Sequence, residues 1–439
     1  MVKTITMENG LRVVMERMEG VRSVSVGIWV NAGSEYENEK TSGISHFVEH
    51  MLFKGTERRT AAEIAAEMDS IGGTLNAFTA KECTCYYARV IDEDLAVAID
   101  MLSDLVLNSK LDKEMIEKEK GVICDEIYMT EDNPEDLVFE TASSKFFGGT
   151  TLERPILGTV DTVTSFKKKD FEAYMKRYYT PENMVVACAG NFEEEKLMEL
   201  LNEHFAAEPS GECYEVIEHI PTEGFRYSFV KKDIEQAHIC LTFPGYSLGT
   251  KEYYALTVLS NALGGSMSSR LFQTIREEHG LAYSVYSYPI SYRNVGSFSV
   301  YAGCGEKQAV KVLKLMLKEL DLLIEKGLTS EEFERCKQQL KGSFILGMES
   351  TNAHMNAIGK SLLLQNKEYS QETTISGIEC VTIEDTKRLT KELFSSKRFA
   401  AAIVGRVEDK SEQMQRELEE WWEKHGQAGT DIQDAEDAR

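Results

Sequence analysis

The chain has 439 residues, with 49 Lys and Arg against 73 Asp and Glu, for a formal charge of −24. That balance argues against a duplex nucleic-acid partner, whose binding rests on basic side chains neutralising phosphates. An apolar content of 42% excludes a disordered chain, the length fits two or three domains at roughly 150 residues each, and no window reaches the ~18–20 apolar residues of a membrane span.

Residues 1–7 carry no apolar or Arg/Ser-rich presequence. The nine cysteines, an odd number without a CxxC spacing, read as reduced thiols. A cytoplasmic protein without membrane partners is the expectation.

The first predicted element is a hairpin in which residues 3–7 and 11–15 flank Asn9-Gly10, a dipeptide favoured by tight type I′ turns. A half-buried strand follows, with Val24, Val26, Ile28 and Val30 on one face and Ser23, Ser25, Gly27 and Trp29 on the other. Helical periodicity covers residues 42–53. A second helix starts at Thr60, where Thr60-Ala-Ala-Glu63 is a capping box, and stops at Gly72-Gly73. Strands are predicted over residues 74–78 and 83–90, helices over 94–107 and 113–129, and a strand over 184–190.

The second half of the chain repeats this plan. The strand ending at Gly190 has a counterpart ending at Gly405, a period of 215, and Val21 aligns with Ile234 at a spacing of 213. The reading is an α+β protein of two homologous domains, residues 1–208 and 225–439. The polar linker of residues 209–224 holds Pro209, Gly211, Pro221 and Gly224. The acidic stretch after Gly426 is expected to fray.

The chemistry concentrates in His46-Phe-Val-Glu-His50. At 3.6 residues per turn, His46, Glu49 and His50 share one helix face, and two imidazoles four residues apart can grip one tetrahedral zinc. With 8 His and 73 acids in the chain, such a pattern arises by accident about 0.02 times. A catalytic zinc needs a third protein ligand and an open position, and spacing alone does not select that ligand from the many acids. The 113–129 helix offers Glu119 and Glu126, two turns apart on one face; by themselves they read first as an ordinary charged solvent face. His204, His219, His238, His279, His354 and His425 have no partner four residues away and read as packing or surface residues.

His46-Phe-Val-Glu-His-Met-Leu-Phe-Lys-Gly-Thr56 resembles the signature of the pitrilysin/insulinase family, whose H-x-x-E-H order inverts that of thermolysin. The likeness extends over about residues 3–420 and is greatest to short bacterial members of the mitochondrial-processing-peptidase-like branch. It implies that each domain is a mostly antiparallel β-sheet packed with α-helices, the two together forming a clamshell half.

The resemblance also implies a third zinc ligand about 76 residues past the second histidine, which is Glu126, supported by an acid seven positions earlier, Glu119. That spacing is one residue shorter than in some relatives, which leaves Asp125 as a rival. By the same likeness Arg276 and Tyr283 of the second domain reach the substrate near the metal, and Asn76 and Ala77 lie on a strand that pairs with substrate backbone. The implied function is a zinc endopeptidase with one Zn²⁺ per chain and Glu49 as general base, cutting unfolded or short peptides inside a closed chamber. A homodimer is implied, and the acidity suits basic peptides drawn in by electrostatic steering. The alternative is a non-catalytic family subunit that binds peptides or a partner chain.

Overall fold

The computed structural model describes residues 2–214 and 216–426; the stretch expected to fray after Gly426 lies outside the described residues. In the first unit, β1 (Val2–Thr6), β2 (Arg12–Arg17), β3 (Ser23–Val30), β4 (Thr74–Thr79), β5 (Thr84–Ile91) and β6 (Met184–Gly190) form one sheet in the order β1-β2-β6-β3-β5-β4. Its pairs are antiparallel except β2 with β6.

The β1–β2 turn departs from the type I′ expectation. Only Gly10 has a positive φ, of 92°, and the Met7 N–H donates to Leu11 O at 2.8 Å, so three residues, not two, close the loop. Asn9 is drawn elsewhere: its amide donates to Phe205 O at 2.7 Å.

On one face of this sheet lie α1 (Ile44–Leu52), α2 (Ala61–Ser70), α3 (Leu95–Asn108) and α4 (Lys113–Asp132). They share a buried apolar cluster with Val24, Val26, Ile28 and Val30 of β3. The capping box predicted at Thr60 and Glu63 forms as read.

The opposite face is covered as well, by a helix from far along the chain, Thr351–Gln365. This corrects the reading of β3 as half-buried, since Trp29 is only 2% exposed and Ser25 is fully buried. Gly27 and Gly359 allow the close approach: a Cβ on Gly359 would stand 2.3 Å from Trp29 Nε1. Ser25 Oγ and Thr351 Oγ1 lie 2.9 Å apart.

The second unit contains β7 (Gly224–Lys231), β8 (Gln236–Gly245), β9 (Ala282–Ser291), β10 (Gly296–Gly305) and β11 (Arg398–Gly405), ordered β7-β11-β8-β10-β9. Strand for strand this repeats β2-β6-β3-β5-β4, including the single parallel pair, β7 with β11. The repeat is thus one of topology. Gly190 and Gly405 end equivalent strands with φ of 134° and 143°. Each is pressed against the start of the neighbouring strand, where a Cβ would meet Ser23 O and Gln236 O respectively. One face of this sheet is covered by α5 (Pro134–Phe146), through Val138 and Ala142 against Cys240, Tyr301, Ala402 and Val404.

The compact units therefore differ from the contiguous domains 1–208 and 225–439. The first comprises Met1–Tyr128, Arg154–Ile217 and Phe344–Gln371, and the second Met129–Glu153, Glu218–Ser343 and Glu372–Arg439. Each sheet buries its second face under a helix from the other half of the sequence, an assignment that periodicity cannot make.

His354, read as a packing histidine, secures the Thr351–Gln365 helix. Its Nδ1 lies 2.7 Å from Glu16 Oε2 and its Nε2 2.7 Å from Met348 O, so both ring nitrogens face acceptors. The Glu16 hydrogen bond raises its pKa above the ordinary value, against the effect of burial. A raised folded-state pKa stabilises the protein fully below the unfolded value of about 6.5, and that contribution fades as pH rises through the folded value. His354→Ala should therefore cost about 1.5–3 kcal/mol at pH 6, the range for hydrogen bonds to charged groups, and clearly less at pH 9, measured by thermal denaturation. An equal loss at both pH values would contradict the contact.

Candidate metal centre

Helix α1 starts at Gly43, which has a φ of 92° and offers no side-chain cap, and it buries Ile44, Phe47, Val48, Met51 and Leu52 in the core. That packing turns His46, Glu49 and His50 toward α4. Helix α4 buries Ile116, Ile123 and Ile127 in the same cluster, and Glu119 and Glu126 lie beside these positions on its surface.

The ligand atoms of His46, His50 and Glu126 all lie within 4.8 Å of one another. Glu126 Oε2 is 3.6 Å from His46 Nε2 and 3.5 Å from His50 Nε2. Two ligands of a tetrahedral zinc, each at about 2.0–2.1 Å, stand about 3.3 Å apart. The donor set and its spacing therefore fit zinc. Among the described residues no other group of three His, Cys, Asp or Glu meets this test, and Asp125, the rival, is outside it.

Burial and the neighbouring His50 hold the pKa of His46 well below its ordinary value, against the pull of Glu126. A neutral imidazole is the form that binds metal. The hydrogen bond from His50 lowers the pKa of Glu126 despite partial burial. For His50 burial opposes the charged form, but hydrogen bonds to Glu126 and Glu119 raise its pKa overall.

Glu119 is 6% exposed, and its Oε2 lies 3.0 Å from His50 Nδ1. Its other oxygen is 2.7 Å from Lys54 Nζ, so the buried carboxylate orients a ligand ring and has its own counter-charge. Glu49 is held from β4, where Thr79 Oγ1 donates to its Oε2 at 2.5 Å. Burial raises the pKa of Glu49 against that bond.

Lys54 and Thr79 escaped the sequence reading. Lys54 follows His50 by four residues, a helical spacing that could have been noticed; nothing local marks Thr79.

Asn76 and Ala77 lie in β4, the last strand on its side of the sheet, opposite Tyr87 and Tyr86 of β5. The Ala77 N–H bonds to the Asn76 side chain at 2.8 Å. Arg276 and Tyr283 belong to the second unit, on a wide π-type helix (Phe272–Glu278) and on β9. They touch each other: Arg276 Nη1 donates to Tyr283 O at 2.8 Å, and the guanidinium lies 4.5 Å from the Tyr283 ring centre. Tyr283 is 77% exposed.

Residues 12–160 match the model of the insulinase family, peptidase family M16, and residues 165–340 match that of the peptidase M16 inactive domain. The chain belongs to peptidase family M16. It is 42% identical to the uncharacterized zinc protease YmxG of Bacillus subtilis over 92% of this chain and 98% of that one. To an uncharacterized zinc protease of Streptomyces coelicolor it is 41% identical, over 93% and 90%.

Among solved structures, a protease from Helicobacter pylori has the same fold, with a TM-score of 0.85 at 22% identity, covering 92% of this chain and 99% of that one. A chain of complex III2 from Candida albicans has a TM-score of 0.83 at 22% identity, over 95% and 100%. The metal cluster falls in the span matched to the insulinase model, and Arg276 and Tyr283 fall in the span matched to the inactive domain. No helix among the described residues is long and apolar enough to cross a membrane.

Lys54→Met leaves Glu119 buried without its counter-charge. It should weaken zinc binding about tenfold, toward the lower end of the 10–100-fold range for residues supporting metal ligands, measured by competition with a chelator. Unchanged affinity would contradict the role of Lys54.

Proposed function

We propose that this M16 member is a zinc-dependent endopeptidase. The observation that carries the reading is the convergence of His46, His50 and Glu126 beside Glu49, on the same helix face. Three protein ligands leave a zinc one open position. Zinc, when bound, supplies Lewis acidity, making water more acidic and polarising a carbonyl.

The remaining work falls to side chains. Glu49 accepts a proton from the attacking water and returns it to the departing amine. Thr79 fixes one Glu49 oxygen, leaving the other for that transfer. Glu119 holds His50 in one ring orientation. Arg276 and Tyr283 are the donors we assign to the oxyanion.

An extended peptide would add to the β4 edge at Asn76 and Ala77, a mode in which main-chain hydrogen bonds supply affinity with little demand on sequence. The Ala77 N–H, now satisfied by the Asn76 side chain, would be handed to the substrate. A non-catalytic subunit is the second reading, favoured by the likeness in fold to a chain of complex III2.

One assay separates the two. With a fluorogenic peptide library, the zinc-loaded wild type should cleave and should lose activity to a chelator. Glu49→Gln should keep zinc and lose at least about 10²–10⁴-fold in kcat, the usual weight of a general base, whereas His50→Ala should lose the metal too. Wild-type zinc binding without any cleavage supports the second reading, and full activity in Glu49→Gln would overturn the first.

A further inference from the structure

The site residues on helix α1 are not held alike. His50 has Glu119 at its second ring nitrogen, and Glu49 has Thr79. His46, on the first turn, has neither: its Nδ1 is buried without a hydrogen-bond partner among the described residues. Beyond Glu126 at Nε2 and the edge of the His50 ring, nothing among the described residues is hydrogen-bonded behind the His46 ring to aim it, so its place depends on the backbone that carries it.

That backbone is gripped by Glu37, nine residues earlier and 4% exposed. Glu37 Oε2 accepts the Gly43 N–H at 2.7 Å, and Oε1 accepts the Ser45 N–H at 2.8 Å and the Ser45 hydroxyl at 2.6 Å. The Ser45 oxygen also lies 2.7 Å from Tyr174 OH. Two oxygens thus take three donors from the residues immediately before His46, at a helix end whose free N–H groups favour an anion.

Glu37 is itself fixed. Its carbonyl accepts a hydrogen bond from Arg154, and its turn is stitched to the segment after β4 by Ser34 N–H to Ala80 O and Glu35 N–H to Lys81 O, at 3.2 and 2.8 Å. The same stretch of backbone that presents Thr79 to Glu49 therefore anchors Glu37. From the other side, Gly158 abuts Ser42 and Gly43, where a Cβ would meet Ser42 O at 2.4 Å. Burial pushes the Glu37 carboxyl up to about 7, opposed by the bonds from Ser45 and Gly43.

We infer that Glu37 is a positioning residue for the metal centre, setting the place of His46 through the backbone of residues 43–45 where no hydrogen bond holds the ring at Nδ1. The inference rests on the zinc reading above. A side chain that served only to hold the fold would change stability and leave the metal affinity of the folded protein alone.

The test is Glu37→Gln in the full chain, which keeps the shape but turns an amide NH₂ toward a donor. Zinc affinity is measured by chelator competition on folded protein, and the Co²⁺-substituted form is read by its visible absorption. The expected result is a 10–100-fold loss of zinc affinity, an altered Co²⁺ spectrum, and at saturating zinc a lower kcat with KM within twofold. Ser45→Ala, which removes one donor to Glu37, should lose about 3–10-fold, a fraction of the Glu37→Gln range.

If wild type binds zinc and folded Glu37→Gln binds it equally well with the same Co²⁺ spectrum, the inference fails while the zinc reading stands. If wild type binds no zinc, both fail. If Glu37→Gln does not fold, Ser45→Ala decides: wild-type affinity and spectrum in that variant overturn the inference.

Discussion

Two imidazoles and a carboxylate held within 4.8 Å of one another are the constraint around which the first unit is built. Removing such groups from water is unfavourable unless each finds a partner; His46 and His50 have Glu126, and His50 also has Glu119. The surrounding structure offsets this from several sides. The isoleucines of α4 and the apolar face of α1 enter one core, so the ligand faces are brought together by hydrophobic burial and not by attraction between the ligands. Around that packing, Glu119, Lys54, Thr79 and Glu37 fix the parts that packing leaves free.

The second unit repeats the strand order of the first but carries no comparable ligand cluster among its described residues. Gly190 and Gly405 mark the repeat, because both strand ends require a left-handed glycine pressed against a neighbouring strand. The candidate metal cluster thus sits on one copy of a repeated scaffold. The other copy carries an arginine and a tyrosine in contact with each other, with the tyrosine largely exposed.

Much of this was legible in the sequence where the governing interactions are local. The spacing of His46, Glu49 and His50, the capping box at Thr60, the 184–190 strand and the seven-residue step from Glu119 to Glu126 are all set by helical or strand periodicity, and each appears in the structure. Choosing Glu126 needed the family resemblance, since a carboxylate 76 positions away leaves no local signature. Contacts between distant segments were not legible. Nothing near Glu37 shows that it will reach Gly43 and Ser45, and nothing in residues 351–365 shows that they will cover β3. The Asn9-Gly10 turn misled for the same reason: a tertiary bond from Asn9 to Phe205 O outweighed the local preference of the dipeptide.

The proposed chemistry turns on α1 and α4 together forming one zinc site from two imidazoles and one carboxylate. X-ray absorption at the zinc edge of the metal-loaded full chain tests it most directly. The expected result is one zinc per chain with two imidazole nitrogens and only oxygen in the remaining positions, at about 2.0–2.2 Å. Sulfur at about 2.3 Å, or fewer than two imidazoles, would contradict it.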